Sequence, residues 1–320
     1  METTAKQHIV LGTGAIGRAI MEELIKRGAS VRMVNRSGKM DEIPANIELV
    51  AADLYDPARV KDVTQRAQVV YQASQPHYHE WPEKFPPLQK SIIDGLTGSG
   101  AKLVIVENTY MYGATNGKPM TENTPHNAHT RKGKVRSELS KAALTAHQAG
   151  KVIVAIGRGS DFFGPWGLEQ TSMGSRAFYP ILNGKSAQQI GLVDIPHTHT
   201  FLKDFGRAMV ILGEHSEADG QAWHVPNDMP SITQRDMIKM FAEEAGVLAK
   251  ISSMSKLTMK MVGLFIPEVK EMVEMLYEFD QPFIMDSSKF ERTFGMKATP
   301  MRDAIRETVA WFKSHPEKKN

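Results

Sequence analysis

The 320-residue chain contains no cysteine. That excludes a disulfide, a thiolate zinc site and a cysteine nucleophile together. Net charge is nearly missing as well. The 39 Lys and Arg against 36 Asp and Glu leave +3, an excess too small and too scattered to mark a nucleic-acid or acidic-membrane partner. No run approaches the roughly 18 consecutive apolar residues that would cross a bilayer. The opening METTAKQHIV has no apolar stretch after Lys6, so we read no secretory leader there and expect a cytoplasmic protein. Internal repeats and low-complexity linkers are also lacking. What is present is ordinary globular usage, 41% hydrophobic and 23% charged, which excludes a disordered, collagen-like or coiled-coil chain. The length admits one large or two modest domains.

Along the first 160 residues, short Val- and Ile-rich runs alternate with helix-length amphipathic stretches. Strands are expected at 8–11, 31–35, 47–51, 68–73, 102–106 and 151–156, and helices at 16–27, 57–67, 87–96 and 134–148. This alternation indicates βαβ units and a parallel sheet covered on both faces, hence a doubly wound α/β fold. Beyond Gly157 the pattern changes. Residues 158–168 (RGSDFFGPWGL) read as a loop, and helices are expected at 203–212, 233–245, 269–279 and 301–313. Residues 230–280 are Met-rich and helix-heavy. The 19 methionines serve as adaptable core filler or line an apolar substrate pocket.

Gly12-Thr13-Gly14-Ala15-Ile16-Gly17 follows the first expected strand and opens the first expected helix, the context that gives a G-x-G-x-x-G motif meaning. Gly12 suits a tight turn, Gly14 lets a pyrophosphate approach the backbone, and Gly17 allows close helix–strand packing. The helix N-terminus, including Ala15 and Ile16, then offers unpaired N–H groups and a partial positive charge to phosphates. The second strand ends at Asn35-Arg36-Ser37 with no Asp or Glu. An acid there would bind ribose hydroxyls and repel a 2′-phosphate, whereas a guanidinium accommodates one. The expected cofactor is therefore NADP(H), not NAD(H).

With these residues in place, the order of motifs resembles the extended short-chain dehydrogenase/reductase superfamily, in its NAD-dependent epimerase/dehydratase branch. The resemblance runs through GTGAIG, AADLYDP at 51–57, ASQP at 73–76, NTYMYG at 108–113, RGSDFFGP at 158–165, TFLKDFGRA at 200–208 and the closing DSSKFERTFGMKATPMRDAIRETVAWF. It implies a Rossmann domain at 1–165, rejoined by parts of 186–226, and a smaller, mixed, helix-rich substrate domain over most of 166–320. It also implies that Asp53 and Leu54 contact adenine, that Ala73 and Pro76 line the cofactor, and that Gly157 and the residues after it pass the nicotinamide. A symmetric homodimer is the family habit.

The family's reaction uses a Ser or Thr, a Tyr, and a Lys four residues after that Tyr. None of the seven tyrosines is followed by such a lysine. On the resemblance, Lys134 takes the lysine position and holds the nicotinamide ribose, within a basic helix start that includes Arg131, Lys132 and Arg136. Thr130 then stands at the tyrosine position, and Asn108, with Thr109 beside it, at the Ser/Thr position. Two residues past Asn108, where the family's dehydratases place a carboxylate, this chain has Tyr110. A phenol there is either a relocated acid or a wall of the pocket, since an ordinary phenol releases its proton only near pH 10.

Histidines pair in QPHYHEW (His77, His79), PHNAH (His126, His129) and IPHTHT (His197, His199). Each His-x-His has the spacing of a zinc chelate, but with no cysteine and no HExxH helix we assign no metal. The first two pairs are expected in loops at the carboxyl edge of the sheet, where open α/β folds bind ligands. His77, Tyr78 and His79 are therefore substrate candidates, with Tyr110, Phe162 and Trp166, and His129 is a further pocket candidate. Two functions stand. One is an NADP(H)-dependent oxidoreductase with a non-standard catalytic set, acting on a small carbonyl, alkene or sugar-nucleotide-like substrate. The other is a catalytically silent NADP(H)-binding sensor or regulatory protein.

Overall fold

In the computed structural model, residues 7–169, 171–262 and 273–317 are described. The chain divides into two compact units. The first comprises Met1–Met111, Lys132–Arg158 and Phe205–Trp223; the second comprises Tyr112–Arg131, Gly159–Asp204 and His224–Asn320.

The first unit is built on a seven-stranded sheet. Its strands are β1 (Gln7–Leu11), β2 (Ser30–Asn35), β3 (Glu48–Ala51), β4 (Ala67–Gln72), β5 (Lys102–Glu107), β6 (Ile153–Arg158) and, at the β6 edge, β10 (Ala222–His224). The order is β10-β6-β5-β4-β1-β2-β3, and β1 to β6 pair in parallel. The core strands Ile9-Val10-Leu11, Val69-Val70 and Leu103-Val104-Ile105 are wholly buried, as parallel sheets require. Chain order reverses between β1 and β4, and the carboxyl ends of those strands form the crevice where such sheets bind ligands.

Four helices of this unit follow their strands: α1 (Ala15–Lys26), α2 (Pro57–Val63), α3 (Trp81–Leu96) and α4 (Arg131–Gln148). Local chemistry sets their starts. Asp56 caps α2 by accepting the Ala58 N–H at 2.9 Å, with Pro57 in the first turn, a position where its missing N–H costs nothing. α2 ends at Val63, four residues short of expectation, and two starts come early. α3 starts at Trp81 despite Pro86 and Pro87 inside it, because Trp81, Phe85 and Leu88 already bury one apolar face. α4 starts at Arg131, three residues early.

In the second unit, two short parallel pairs join β7 (Asp161–Phe163) to β9 (His199–Phe201), and β8 (Ala187–Ile190) to β11 (Ile251–Met254). The stretch expected to be a loop at 158–168 thus contains β7, and the helix-heavy stretch contains β11. Helices α5 (Ser175–Leu182) and α7 (Gln234–Ala245) pack with the helix Met301–Ser314 around stacked Phe178 and Phe241, 3.9 Å apart, and Phe312. Thr233 caps α7 by accepting the Asp236 N–H at 3.0 Å. Of the helix expected at 269–279, residues 269–272 lie outside the described set, and Leu276–Phe279 form a 3-10 turn. α6 (Leu202–Glu214) carries the chain between the units.

Candidate functional site

The glycine turn is shaped by close approach. Gly12 holds φ +121°, and a Cβ there would lie 2.8 Å from the Ala73 carbonyl carbon. Its N–H bonds Val34 O at 2.8 Å, so the turn is pinned between β2 and the end of β4. A Cβ on Gly17 would sit 2.1 Å from Gly12 O. Gly14 differs: its Cβ would meet nothing within 4 Å. It is the N-cap of α1, with no side-chain cap and no acidic residue in the first turn, where Ala15 and Ile16 follow. Packing demands glycine at 12 and 17, whereas at 14 its smallness keeps open space before the helix N-terminus. That arrangement fits a pyrophosphate.

At the end of β2, Asn35 builds the adjoining loop. Its Nδ2 donates to Thr13 Oγ1 at 2.9 Å and Lys39 O at 2.8 Å, while Oδ1 accepts the Gly38 N–H at 2.6 Å and the Ser37 hydroxyl at 3.3 Å. Arg36 and Ser37 are left exposed on that loop. Beyond β3, Asp53 is exposed and accepts the Tyr55 N–H at 3.0 Å, and Leu54 lies in the core. Ala73 and Pro76 are half-buried after β4, and Pro76 O accepts the Trp81 indole N–H at 3.3 Å. Gly157 lies inside β6 instead of after it. A Cβ there would come 2.3 Å from Met209 Sδ, so a side chain at 157 would have to displace that methionine.

The carboxyl ends of β4 and β5 carry a second group of residues. Glu107 and Arg158 face each other in register across β5 and β6, with Oε2 to Nε at 2.9 Å and side chains 1% and 2% exposed. Arg158 also donates to Ser140 Oγ of α4 at 2.7 Å. Asn108 Oδ1 accepts the Tyr110 N–H at 3.3 Å, and Thr109 is buried. Tyr110 is half-buried, its hydroxyl 3.5 Å from that of Tyr78 and its ring beside Trp81. His77 and His79 flank Tyr78, exposed, with rings 6.1 Å apart.

Thr130, just before α4, is buried, but α4 turns inward other cations than the one expected. Lys134 is exposed. Lys132 is 1% exposed and Arg136 4%, on the face that also buries Val135, Leu139 and Ala143. Lys132 Nζ lies 4.3 Å from the centre of the Tyr78 ring, and the Arg136 guanidinium 4.3 Å from that of Trp81 and 4.6 Å from that of Phe85. Burial pushes Arg136 down to about 10, against the opposing pull of Glu107, Tyr110 and Tyr78, and it stays a cation at neutral pH. The signal for this pair lay in the helical period, since 132, 136, 139 and 143 share one stripe.

In the second unit, His197 Nε2 bonds the Asp161 carboxylate, and its ring stacks between Phe279 and Phe283. The His199 ring lies 5.1 Å away. Burial, then the His197 charge, push His199 down to about 3. Burial alone would raise the Asp161 carboxyl, but the bond to His197 and the charges of both histidines hold it below the usual range. Burial and the Asp161 charge push Glu278 well up. Phe162 is half-buried in β7, and Trp166 packs on Trp311 and His315 at 5.2 and 5.5 Å. His129 packs edge-on to Tyr277. Among the described residues, no three His, Asp or Glu are grouped to hold a metal, and no helix is long and apolar enough to cross a membrane.

A parallel sheet reversing at β1 and β4, with a glycine turn opening α1, defines a Rossmann protein whose crevice suits a dinucleotide. Residues 9–225 match the model of the NAD dependent epimerase/dehydratase family, and the chain belongs to that family. No curated protein matches it. Among solved structures it is similar to UDP-glucose 4-epimerase of Thermotoga maritima with UDP-glucose, at 15% identity and TM-score 0.79, over 97% of this chain and 99% of that one. It is also similar to dTDP-glucose 4,6-dehydratase of Bacillus anthracis in complex with NAD, at 15% identity and TM-score 0.77, over 97% of each chain. The Thermus thermophilus UDP-glucose 4-epimerase complex with NAD is 17% identical, with TM-score 0.75, over 96% and 99%.

Proposed function

We propose that this chain is an NADP(H)-dependent oxidoreductase acting on a small carbonyl, alkene or sugar-nucleotide-like substrate. The observation that carries the cofactor preference is the end of β2. Asn35 is spent on the loop, and Arg36 and Ser37 stand exposed with no carboxylate at that position. A guanidinium and a hydroxyl there match a 2′-phosphate. The open N-terminus of α1 at Gly14 receives the pyrophosphate, the Asp53 carboxylate takes the adenine amine, and Ala73 and Pro76 line the path between strand ends. NAD in two neighbours and UDP-glucose in a third support a dinucleotide and a nucleotide-sugar class of substrate. The bound dinucleotide would supply or remove the hydride equivalent. Tyr110 and Tyr78 offer phenolic hydrogen bonds to the substrate, with His77 and His79 at the rim. Lys134, facing outward, has no part in this reading.

Calorimetric titration with NADPH and NADH tests the preference. NADPH is expected to bind more tightly, and Arg36→Ala to lose about 1.5–3 kcal/mol, roughly 10- to 100-fold, for NADPH alone. Tighter NADH binding, or a preference unchanged in Arg36→Ala, overturns the assignment. NADPH oxidation against ketones, enones and nucleotide sugars then tests the activity. Binding without turnover on any of them favours a regulatory nucleotide-binding protein, the reading to which the absent Tyr-x-x-x-Lys points.

A further inference from the structure

We infer that Lys132 and Arg136 take the place of the missing Tyr-x-x-x-Lys at this site, with Lys132 the proton-transferring group and Arg136 a positioning residue. The inference rests on the dinucleotide reading above. The two residues have the i,i+4 spacing that Tyr-x-x-x-Lys requires, and on α4 it is they, not Thr130 and Lys134, that share one buried face. Arg136 is tied to the strand ends around the crevice. Arg136 Nη2 donates to Gln75 Oε1 at 3.2 Å and Nη1 to Val106 O at 3.4 Å. Gln75 lies two residues past Ala73, whose N–H bonds Leu11 O at 2.9 Å beside the glycine turn. Because β4 lies beside β1 in the sheet, Arg136 reaches the loop that follows the strand next to the glycine turn. A dinucleotide with its pyrophosphate at Gly14 extends its nicotinamide toward this side of the switch point.

Lys132 lies over the Tyr78 ring, whose hydroxyl neighbours that of Tyr110. In the reductive direction the substrate carbonyl carbon takes up one hydride equivalent from the reduced dinucleotide, and its oxygen takes one proton from Lys132 Nζ. The products are the alcohol, the oxidised dinucleotide and a neutral amine, which regains its proton from water. Arg136, a buried cation clamped between aromatic rings and two strand ends, fixes the helix face that presents Lys132.

A cation beside the nicotinamide has a consequence separate from turnover. The oxidised ring is positively charged and the reduced ring is neutral, so the pair disfavours NADP+ relative to NADPH. Dissociation constants for both, measured by calorimetry on the full chain, test this. Lys132→Met is expected to tighten NADP+ about tenfold relative to NADPH. Lys132→Arg and Lys134→Ala are expected to keep the wild-type ratio. Lys132→Gln, which keeps a polar head, gives the same comparison if the Met variant fails to fold. Arg136→Met is expected to narrow the ratio and Arg136→Lys to preserve it. A ratio unmoved by both Lys132→Met and Lys132→Gln, or shifted by Lys134→Ala, overturns the inference while leaving the dinucleotide site intact. Wild-type protein that binds neither coenzyme overturns both.

Discussion

Replacing Glu107 by Gln tests how the strand ends under the site are held. The change keeps shape and volume, so no cavity cost enters; what disappears is one carboxylate charge. The pair it forms with Arg158 is almost sealed from water, at 1% and 2% exposure and 2.9 Å. Removing one partner of such a pair costs about 3–5 kcal/mol, since the other charge was desolvated against it. Two features put the expectation at the lower end, near 3 kcal/mol. Arg158 keeps its bond to Ser140 at 2.7 Å, and the second Glu107 oxygen is buried without a hydrogen-bond partner, so part of the desolvation cost goes with it. Against a typical total of about 5–15 kcal/mol, that is a large fraction. Urea unfolding followed by tryptophan fluorescence should show the midpoint falling at constant slope. The double change Glu107→Leu, Arg158→Met removes both charges and should recover to within about 1 kcal/mol of wild type. A single variant within about 0.5 kcal/mol of wild type, or a double variant no better than the single, would refute the view that this pair is charge-coupled.

The other predictions concern the turn, the second unit and the phenol. Gly14→Ala should leave the urea midpoint within about 0.5 kcal/mol of wild type while weakening NADPH binding, because its Cβ meets no protein atom but enters the pyrophosphate space. Gly17→Ala should lower both, its Cβ landing 2.1 Å from Gly12 O; equal effects from the two changes would contradict the packing described. His199, held near 3 by burial, binds a proton in the unfolded chain below about 6.5 that the folded chain refuses. Stability should therefore fall by up to about 1.4 kcal/mol per pH unit on acidification through that window, and His199→Gln should flatten the midpoint profile between about pH 6 and 4. Glu278 has the opposite sign: raised in the fold, it loses stability as pH rises above the ordinary carboxyl value, so Glu278→Gln should stabilise most at about pH 8. Tyr110→Phe with unchanged turnover on any substrate found would remove the phenol from proton transfer and leave it a pocket wall.

What the sequence disclosed follows from which forces are local. β1, β4, β5 and β6 were readable because a strand buried on both faces must be a near-continuous apolar run, and Gly17 because the atom that excludes a side chain there, Gly12 O, lies only a few residues away. β7 was hidden: three residues, Asp161–Phe163, become a strand only by pairing with His199–Phe201, nearly forty positions later, and nothing local announces that. α4 shows a different failure. Looking for a tyrosine and a lysine by identity, then counting outward, placed Lys134 in the site, yet residue type does not decide which way a helix side chain faces. Each residue turns the helix by about 100°, so 132 and 136 are about 40° apart while 132 and 134 are about 200° apart. Val135, Leu139, Ala143 and Ala146 already fixed the inward direction, and any residue meant to work at the crevice had to lie on their stripe. The chemistry at that face must then be argued from the residues the period delivers, an ammonium and a guanidinium, and not from the phenol and ammonium that identity alone would seek.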